Sequence, residues 1–508
     1  MPTREVETAL LPQQEFLRQS VDKRLSQNEP NPAEIVLPLF QEVSANVPAY
    51  QDFLSRQGID PKTIETFEDF RKLPLLTKEN YLRRYNMPEL CRHGQLDPCD
   101  MIAVSSGSTG QPTFWPRRQQ DELLIARRFE QVFRDSFNAQ NRSTLAVVCF
   151  ALGNWVGGMY TVQCCRYLQL KGYRITLATP GNQKDEIFRV IDTLGPHFEQ
   201  VVLLGYPPFL KDVVDRGLQR GIDWSSLHTR LVMAGEVFSE EWRALMAERI
   251  GSKHPCFDFA SLYGAADAGV LGNETPLSIH IRRFLAEHPE AARQLFGESR
   301  LPTLLQYDPA SRFFETHEGT LLFTGDNGIP LIRYHIADTG GIIRYDEMLD
   351  FLQMQGFNPL ADLQTPWAAE SDSQQAHSYP LPFVYVFGRS NFTISFFGAN
   401  IYPENISVGL EQPPVKEWIT GKFVMENRET TDQDRELRIS VELAPGITAT
   451  GELRQEISSS ILAQLKRLNS EFTHYVPPNR QMPNIELLPF ENPDYFPAGV
   501  KHRYTRGH

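Results

Sequence analysis

The spacing of apolar positions changes character along the chain. Up to about residue 45, polar sequence carries short amphipathic stretches that predict N-terminal helices, and residues 46–100 mix proline with short helical spacings. From residue 101 short apolar runs alternate with amphipathic segments. The uninterrupted run Leu145–Leu152 reads as a buried strand. Lys184–Leu194 puts Ile187, Val190, Ile191 and Leu194 on one helical face. Val201–Leu204 is a second short buried strand. Pro207 and Pro208 then open a helix running to about Gly221, where their missing N–H groups are tolerated. Leu231–Ala234 is a further strand. Ser239 caps the next helix, whose first turn carries Glu240 and Glu241 at the positive end of the helix dipole. This alternation predicts an α/β fold with mixed, mostly parallel sheets and helices on both faces. Such sheets bind ligands in loops at the strand carboxyl ends.

The texture shifts after about residue 340. Residues 356–382, rich in Pro, Gln, Ser and Asp, read as a long loop or insertion. Beyond Phe387 a smaller α+β unit is expected, with strand-like Phe392–Phe397 and Leu437–Val441. Its helix, Glu452–Leu468, aligns Ile457, Ile461, Leu462 and Leu465. No internal repeat or low-complexity tract interrupts this order.

Composition narrows the class. A chain of 508 residues suggests two or three domains. With 41% hydrophobic and 22% charged residues it suits a soluble protein with sizeable cores. Its longest apolar stretch falls well short of the roughly 20 residues that span a bilayer. No apolar segment follows the first positive charges, which argues against secretion and for a cytoplasmic protein. The net charge of −13 argues against a nucleic-acid partner, though a local site can still be positive enough for a nucleotide. The six cysteines are scattered without a CxxC pair and read as reduced thiols. Cys91, His93 and Cys99 could supply three metal ligands, but a clear fourth is missing.

The chemistry begins at Ser105-Ser-Gly-Ser-Thr-Gly-Gln-Pro-Thr113, just after the apolar stretch Met101–Val104. Small residues keep side-chain bulk away, and glycines let several backbone N–H groups turn toward one anion. The hydroxyls of Ser106, Ser108 and Thr109 add donors. No Gly-Lys-Ser/Thr closes the segment, so it is not a Walker loop. Taken alone, it also fits a Ser/Gly linker.

This loop resembles the phosphate loop of the acyl-adenylate-forming ligases, and the phenylacetate–CoA ligase-like branch is the most similar. The resemblance is collinear from about residue 40 to Arg506. It implies a large adenylation domain, 1–388, and a small mobile lid domain, 389–508. It also implies that Ser105, Ser106, Gly107, Ser108, Thr109 and Gly110 hold the phosphates of ATP. The family's equivalent of Ala234-Gly235-Glu236 lies beside the nucleotide base. Ser261-Leu-Tyr-Gly-Ala-Ala-Asp267 resembles the Tyr-Gly-x-Ser/Thr-Glu motif, with Tyr263 and Gly264 near adenine and Asp267 on the Mg that bridges the phosphates. Leu331-Ile-Arg-Tyr-His-Ile-Ala-Asp338 implies that Asp338 holds the ribose hydroxyls, unless it serves only a salt bridge to Arg333 or Arg344. Phe387-Gly-Arg-Ser-Asn391 is similar to the hinge, with Arg389 on the nucleotide and Asn391 absorbing the domain rotation. Gly398 would leave room for the pantetheine arm of coenzyme A, and Lys501, in Pro497–Arg503, would be the catalytic cation. Gln111 replaces a loop Lys, Ala266 a hydroxyl residue, Ala337 an Arg and Asn391 an Asp.

These roles make up a two-step reaction. Attack of a carboxylate on the α-phosphate brings like charges together, so positioning and charge neutralisation are what is needed. No Gly-x-Ser-x-Gly elbow offers a nucleophile instead. Trp155, Gly157, Tyr206 and Ala234 are expected to line an apolar acid site, which favours a hydrophobic or aromatic carboxylic acid. Three outcomes stay open. They are a ligase joining the acid to coenzyme A, an adenylating enzyme serving a carrier protein, amine or hydroxyl, and a nucleotide-binding homologue without turnover.

Overall fold

A computed structural model of the chain describes residues 12–26, 30–97, 99–105, 113–154, 156–298, 300–363, 377–389, 394–396, 399–429, 435–469, 472–473, 476–497 and 504–505. Its strands, in chain order, begin with an antiparallel hairpin of β1 (Met101–Ser105) and β2 (Thr113–Arg117). The parallel part of the main sheet is β3 (Thr144–Val148), β4 (Ile175–Ala178), β5 (Gln200–Gly205), β6 (Arg230–Ala234) and β7 (Phe259–Ala265), in the order β4-β3-β5-β6-β7.

The same sheet continues antiparallel through β8 (Gly269–Asn273), β9 (Thr303–Gln306), β10 (Phe313–His317), β11 (Thr320–Gly325), β12 (Leu331–Ile343) and β13 (Phe383–Arg389). The full order is β10-β11-β12-β13-β9-β8-β7-β6-β5-β3-β4. The expectation of mostly parallel sheets therefore holds for one half of an 11-stranded mixed sheet. Tight links such as the one between β10 and β11 have no room for a crossover helix, so consecutive strands there run antiparallel.

Both faces of the parallel half are covered. Along β3, Leu145 and Val147 enter a core with Ile187, Ile191, Leu210 and Trp242, while Ala146 and Val148 enter another with Phe129, Phe133 and Cys164. Successive side chains of a strand point to opposite faces, so a strand buried on both sides must be apolar throughout. Full burial of such a Val or Leu stabilises by about 1.5–3 kcal/mol. The predicted helices occur at Lys184–Leu194, Pro207–Gln219 and Glu240–Ile250. Ser239 caps the last of these by accepting from Trp242 N at 3.0 Å.

β13 ends the large sheet at Arg389, and residues from 394 build a separate α+β unit. It holds the hairpin β14 (Ile394–Phe396) and β15 (Ala399–Ile401), and a sheet of β16 (Ile419–Glu429), β17 (Arg435–Leu443) and β18 (Asn484–Leu488). The helices Pro403–Leu410 and Gly451–Leu468 pack on its core of Phe396, Ile406, Phe423, Ile439, Ile457 and Ile461. A Cβ on Gly409 would stand 2.6 Å from Ile461 Cα, so this helix contact requires glycine. The tail returns to this unit, where Met425 N donates to the Tyr504 carbonyl at 2.7 Å.

Candidate functional site

The Ser105–Thr113 segment begins and ends in register, because Ser105 and Thr113 are Cα partners at the loop end of the β1–β2 hairpin. Val104 N donates to the Asn154 carbonyl at 2.8 Å, joining the hairpin to the turn after β3. Ser106, Gly107, Ser108, Thr109 and Gly110 lie outside the described residues, as does Trp155. For Ser105 the backbone alone is described.

The expected acid site is a compact aromatic corner. Phe150 and Tyr206 meet edge to face, with ring centroids 5.0 Å apart. Gly235 makes room for the Tyr206 ring, and Gly157 lies at ordinary contact distance from it. A Cβ on Gly235 would stand 2.7 Å from Tyr206 Cε1, and one on Gly157 3.7 Å from its hydroxyl. Gly235 also has φ +87, a region that costs other residues steric strain. Burial, and then the Glu236 charge, push the Tyr206 phenol above its ordinary pKa. Ala234 packs with the same cluster as Tyr206 at the carboxyl end of β6.

A second corner joins three strands. Tyr263, on β7, donates its hydroxyl to Asp338 Oδ2 at 2.7 Å. Asp338, on β12, is the register partner of Arg389 on β13, whose backbone alone is described. The strand beneath Tyr263 is held firmly. Ser261 N donates to Glu274 at 2.9 Å, and the buried Arg243 donates to the same carboxylate at 2.5 Å. A Cβ on Gly264 would stand 2.3 Å from the Gly269 carbonyl, so β7 and β8 close up only around glycine. Ala337, next to Asp338, adopts φ +61, which is uncommon without glycine. Arg333 is engaged elsewhere, donating to Glu315 and the Leu73 carbonyl.

Asp267 is buried at the β7–β8 turn. Its Oδ2 accepts from Tyr334 at 2.7 Å and lies 3.8 Å from Lys78 Nζ. Arg117 donates to the neighbouring Ala266 carbonyl. Among the described residues no group of three or more His, Cys, Asp and Glu side chains is placed to hold a metal ion. One carboxylate beside a lysine suits a Mg that arrives with phosphate oxygens as its other ligands, rather than a resident ion held by protein alone. Cys91 and Cys99 are free thiols, the first buried and the second partly so.

Two side chains that sequence reasoning did not assign complete the picture. Tyr334 stands inside the quoted Leu331–Asp338 motif, and its signal was there to be read. Tyr504 donates to Glu236 Oε2 at 2.9 Å, linking the tail to the loop after β6. A lone aromatic near a chain end carries no periodic signal. Asn391, Gly398 and Lys501 lie outside the described residues. No helix among the described residues is long and apolar enough to cross a membrane.

No protein-family model matches the chain. It is 22% identical over 407 residues to the phenylacetate–coenzyme A ligase of Thermus thermophilus, covering 79% of each chain. The crystal structure of a 2-hydroxyisobutyryl-CoA ligase in the postadenylation state, in complex with R3-HIB-AMP, superposes with a TM-score of 0.65 at 14% identity. That match covers 94% of this chain and 89% of the other. The same ligase in complex with 2-HIB-AMP gives 0.63, with the same identity and coverage. At such identity the superpositions establish the fold.

Proposed function

We propose that this chain, phenylacetate–CoA ligase-like in sequence and carrying the fold of the acyl-adenylate-forming ligases, activates a hydrophobic or aromatic carboxylic acid with ATP and passes the acyl group to coenzyme A. The observation that carries this reading is the Tyr263–Asp338 hydrogen bond, in register with Arg389. It gathers three residues of separate motifs, each expected at a nucleotide, into one corner. The named coenzyme A ligases among the relatives support the choice of acceptor.

In the first step a carboxylate oxygen of the acid attacks the α-phosphorus of ATP. The bond to pyrophosphate breaks, leaving a mixed anhydride of acid and AMP. Asp338 would accept the ribose hydroxyls, since a carboxylate can take two such bonds. Tyr263 would offer a flat face to adenine, and Gly235 and Glu236 would border the base. The loop from Ser105 to Gly110 would surround the phosphates, and Lys501 would neutralise the charge where carboxylate and phosphate meet. Asp267 would hold the Mg that arrives with ATP and shields its phosphate charge. Tyr206 and Gly157, with Trp155 and Ala234, would enclose the apolar part of the acid.

In the second step the coenzyme A sulfur attacks the acyl carbon, AMP leaves and the thiol proton is released. We read residues 1–388 and 389–508 as two domains that rearrange about Asn391 between the steps, bringing Gly398 to the pantetheine arm. The six free cysteines suit a reducing, cytoplasmic setting.

The test is ATP–pyrophosphate exchange with a panel of aryl, branched and short carboxylic acids, followed by addition of coenzyme A. Exchange that depends on a hydrophobic acid, and a thioester on adding coenzyme A, are expected. Exchange without thioester would move the acceptor to a carrier protein, amine or hydroxyl. No exchange with any acid, while ATP still binds, would overturn the reading.

A further inference from the structure

The C-terminal tail carries its own fastening. The Tyr504 ring packs against the core of the small unit, with its centroid 5.2 Å from that of Phe423. Its carbonyl accepts from Met425 N at 2.7 Å, and Thr505 forms a parallel bridge with the same residue. Its hydroxyl leaves that core and donates to Glu236 Oε2 at 2.9 Å, immediately beyond Gly235 of the large unit. One side chain therefore ties together the tail, β16 and the loop after β6.

Lys501 stands three positions before Tyr504. Gly235 is packed against Tyr206, which puts the anchor point beside the expected acid site.

We infer that Tyr504 is a positioning residue whose hydroxyl bond to Glu236 latches the tail across the site for the first half-reaction and releases it for the second. The inference rests on the adenylation reading. A hydrogen bond to a charged acceptor shifts an equilibrium by roughly ten- to a hundredfold. That is enough to bias two arrangements of the units, yet small enough to be undone in every turnover. Burial, and then the Glu236 charge, hold the phenol far above its ordinary pKa, so it stays a donor.

Tyr504→Phe keeps the ring against Phe423 and the backbone bond to Met425 and removes the donor alone. Two measurements on the full chain test the latch. The first is the rate at which trypsin, cutting after Lys501 or Arg503, removes the tail, followed by intact mass. The variant should lose its tail about tenfold faster than the wild type, the lower bound for such a bond. Glu236→Ala should do the same, and the double variant should be no faster than either single one. Equal rates in wild type and Tyr504→Phe, or additive effects in the double variant, would overturn the latch.

The second compares the half-reactions. Pyrophosphate exchange should fall about tenfold in Tyr504→Phe. Thioester formation from supplied acyl-adenylate should hold or rise. A parallel fall in both would mean general structural damage and would also overturn the proposal. A wild type without exchange on any acid would sink the adenylation reading, and tail cleavage would then decide the latch alone.

Discussion

Tyr263 and Asp338 share a 2.7 Å hydrogen bond although three strands separate β7 from β12 in the sheet order. The bond turns the carboxylate of one motif toward the aromatic ring of another. Asp338→Asn keeps the size of the side chain and an acceptor for Tyr263 but loses the charge that strengthens bonds to ribose hydroxyls. A hydrogen bond to a charged group contributes about 1.5–3 kcal/mol, so the KM for ATP should rise by at least about tenfold. Tyr263→Phe should raise it less, since it loosens the carboxylate without removing it. Pyrophosphate exchange at varied ATP checks both, and an unchanged KM in Asp338→Asn would remove Asp338 from the nucleotide site.

Gly235→Ala should damage the acid site first and disturb the adjoining base position less. The new methyl would stand 2.7 Å from Tyr206 Cε1, on a backbone held at φ +87. The left-handed region alone costs an alanine about 1–2 kcal/mol, and relief requires the Tyr206 ring to move away from it. The expected result is a lower thermal midpoint and a raised KM for the acid, with a smaller rise in the KM for ATP. A variant with wild-type acid kinetics would separate Tyr206 from the substrate.

Much of this was legible in the sequence where local pattern and fold agree. The helix Lys184–Leu194 follows from apolar spacing on the face it buries, and the strands at 201–204 and 231–234 from short unbroken apolar runs that are buried on both faces. The motifs singled out Tyr263, Asp338 and Asp267 by residue type and order, and the fold brings Tyr263 and Asp338 into contact. The antiparallel strands β8–β13 were harder to read. Their glycines, such as Gly340 and Gly341, pack against the Tyr385 backbone and ring and break the apolar alternation that marks a strand. Tyr504 was hidden for another reason: its partner Glu236 lies 268 positions away, and no spacing rule spans that distance.

Glu411 gives the contact between the two units a pH dependence. It follows the helix Pro403–Leu410 and accepts a hydrogen bond from Ser239 of the large unit. Burial raises its pKa from 4.5 to about 8, with Glu241 pushing the same way and Ser239, Arg282 and Lys211 opposing. The folded protein therefore holds a proton that the unfolded chain has already lost between these two values. Stability should be intact at low pH and decline as pH rises through the window from 4.5 to about 8. Glu411→Gln keeps a neutral side chain at every pH. Its thermal midpoint should match that of the wild type near the lower end of the window and exceed it near the upper end. Parallel midpoints across the window would mean that Glu411 ionises normally in place.

Lys501→Ala and Asp267→Asn should fail in distinguishable ways. Lys501 is assigned to charge that develops only as the acid carboxylate meets the α-phosphate, so removing it strikes the adenylation transition state. Loss of one such electrostatic contact costs about a hundred- to a thousandfold in rate. Pyrophosphate exchange should fall by that order, whatever the Mg concentration, while thioester formation from supplied acyl-adenylate survives. Asp267 is assigned to a cation already present in the ground state. Asn keeps an acceptor for Tyr334 Oη, now 2.7 Å from Oδ2, but gives up the charge that also faces Lys78. Asp267→Asn should therefore shift the Mg concentration needed for half-maximal exchange upward, with part of the rate recovered at high Mg. Recovery of Lys501→Ala by Mg, or a Mg requirement unmoved in Asp267→Asn, would reverse the assignments, because each residue would then answer to the step given to the other.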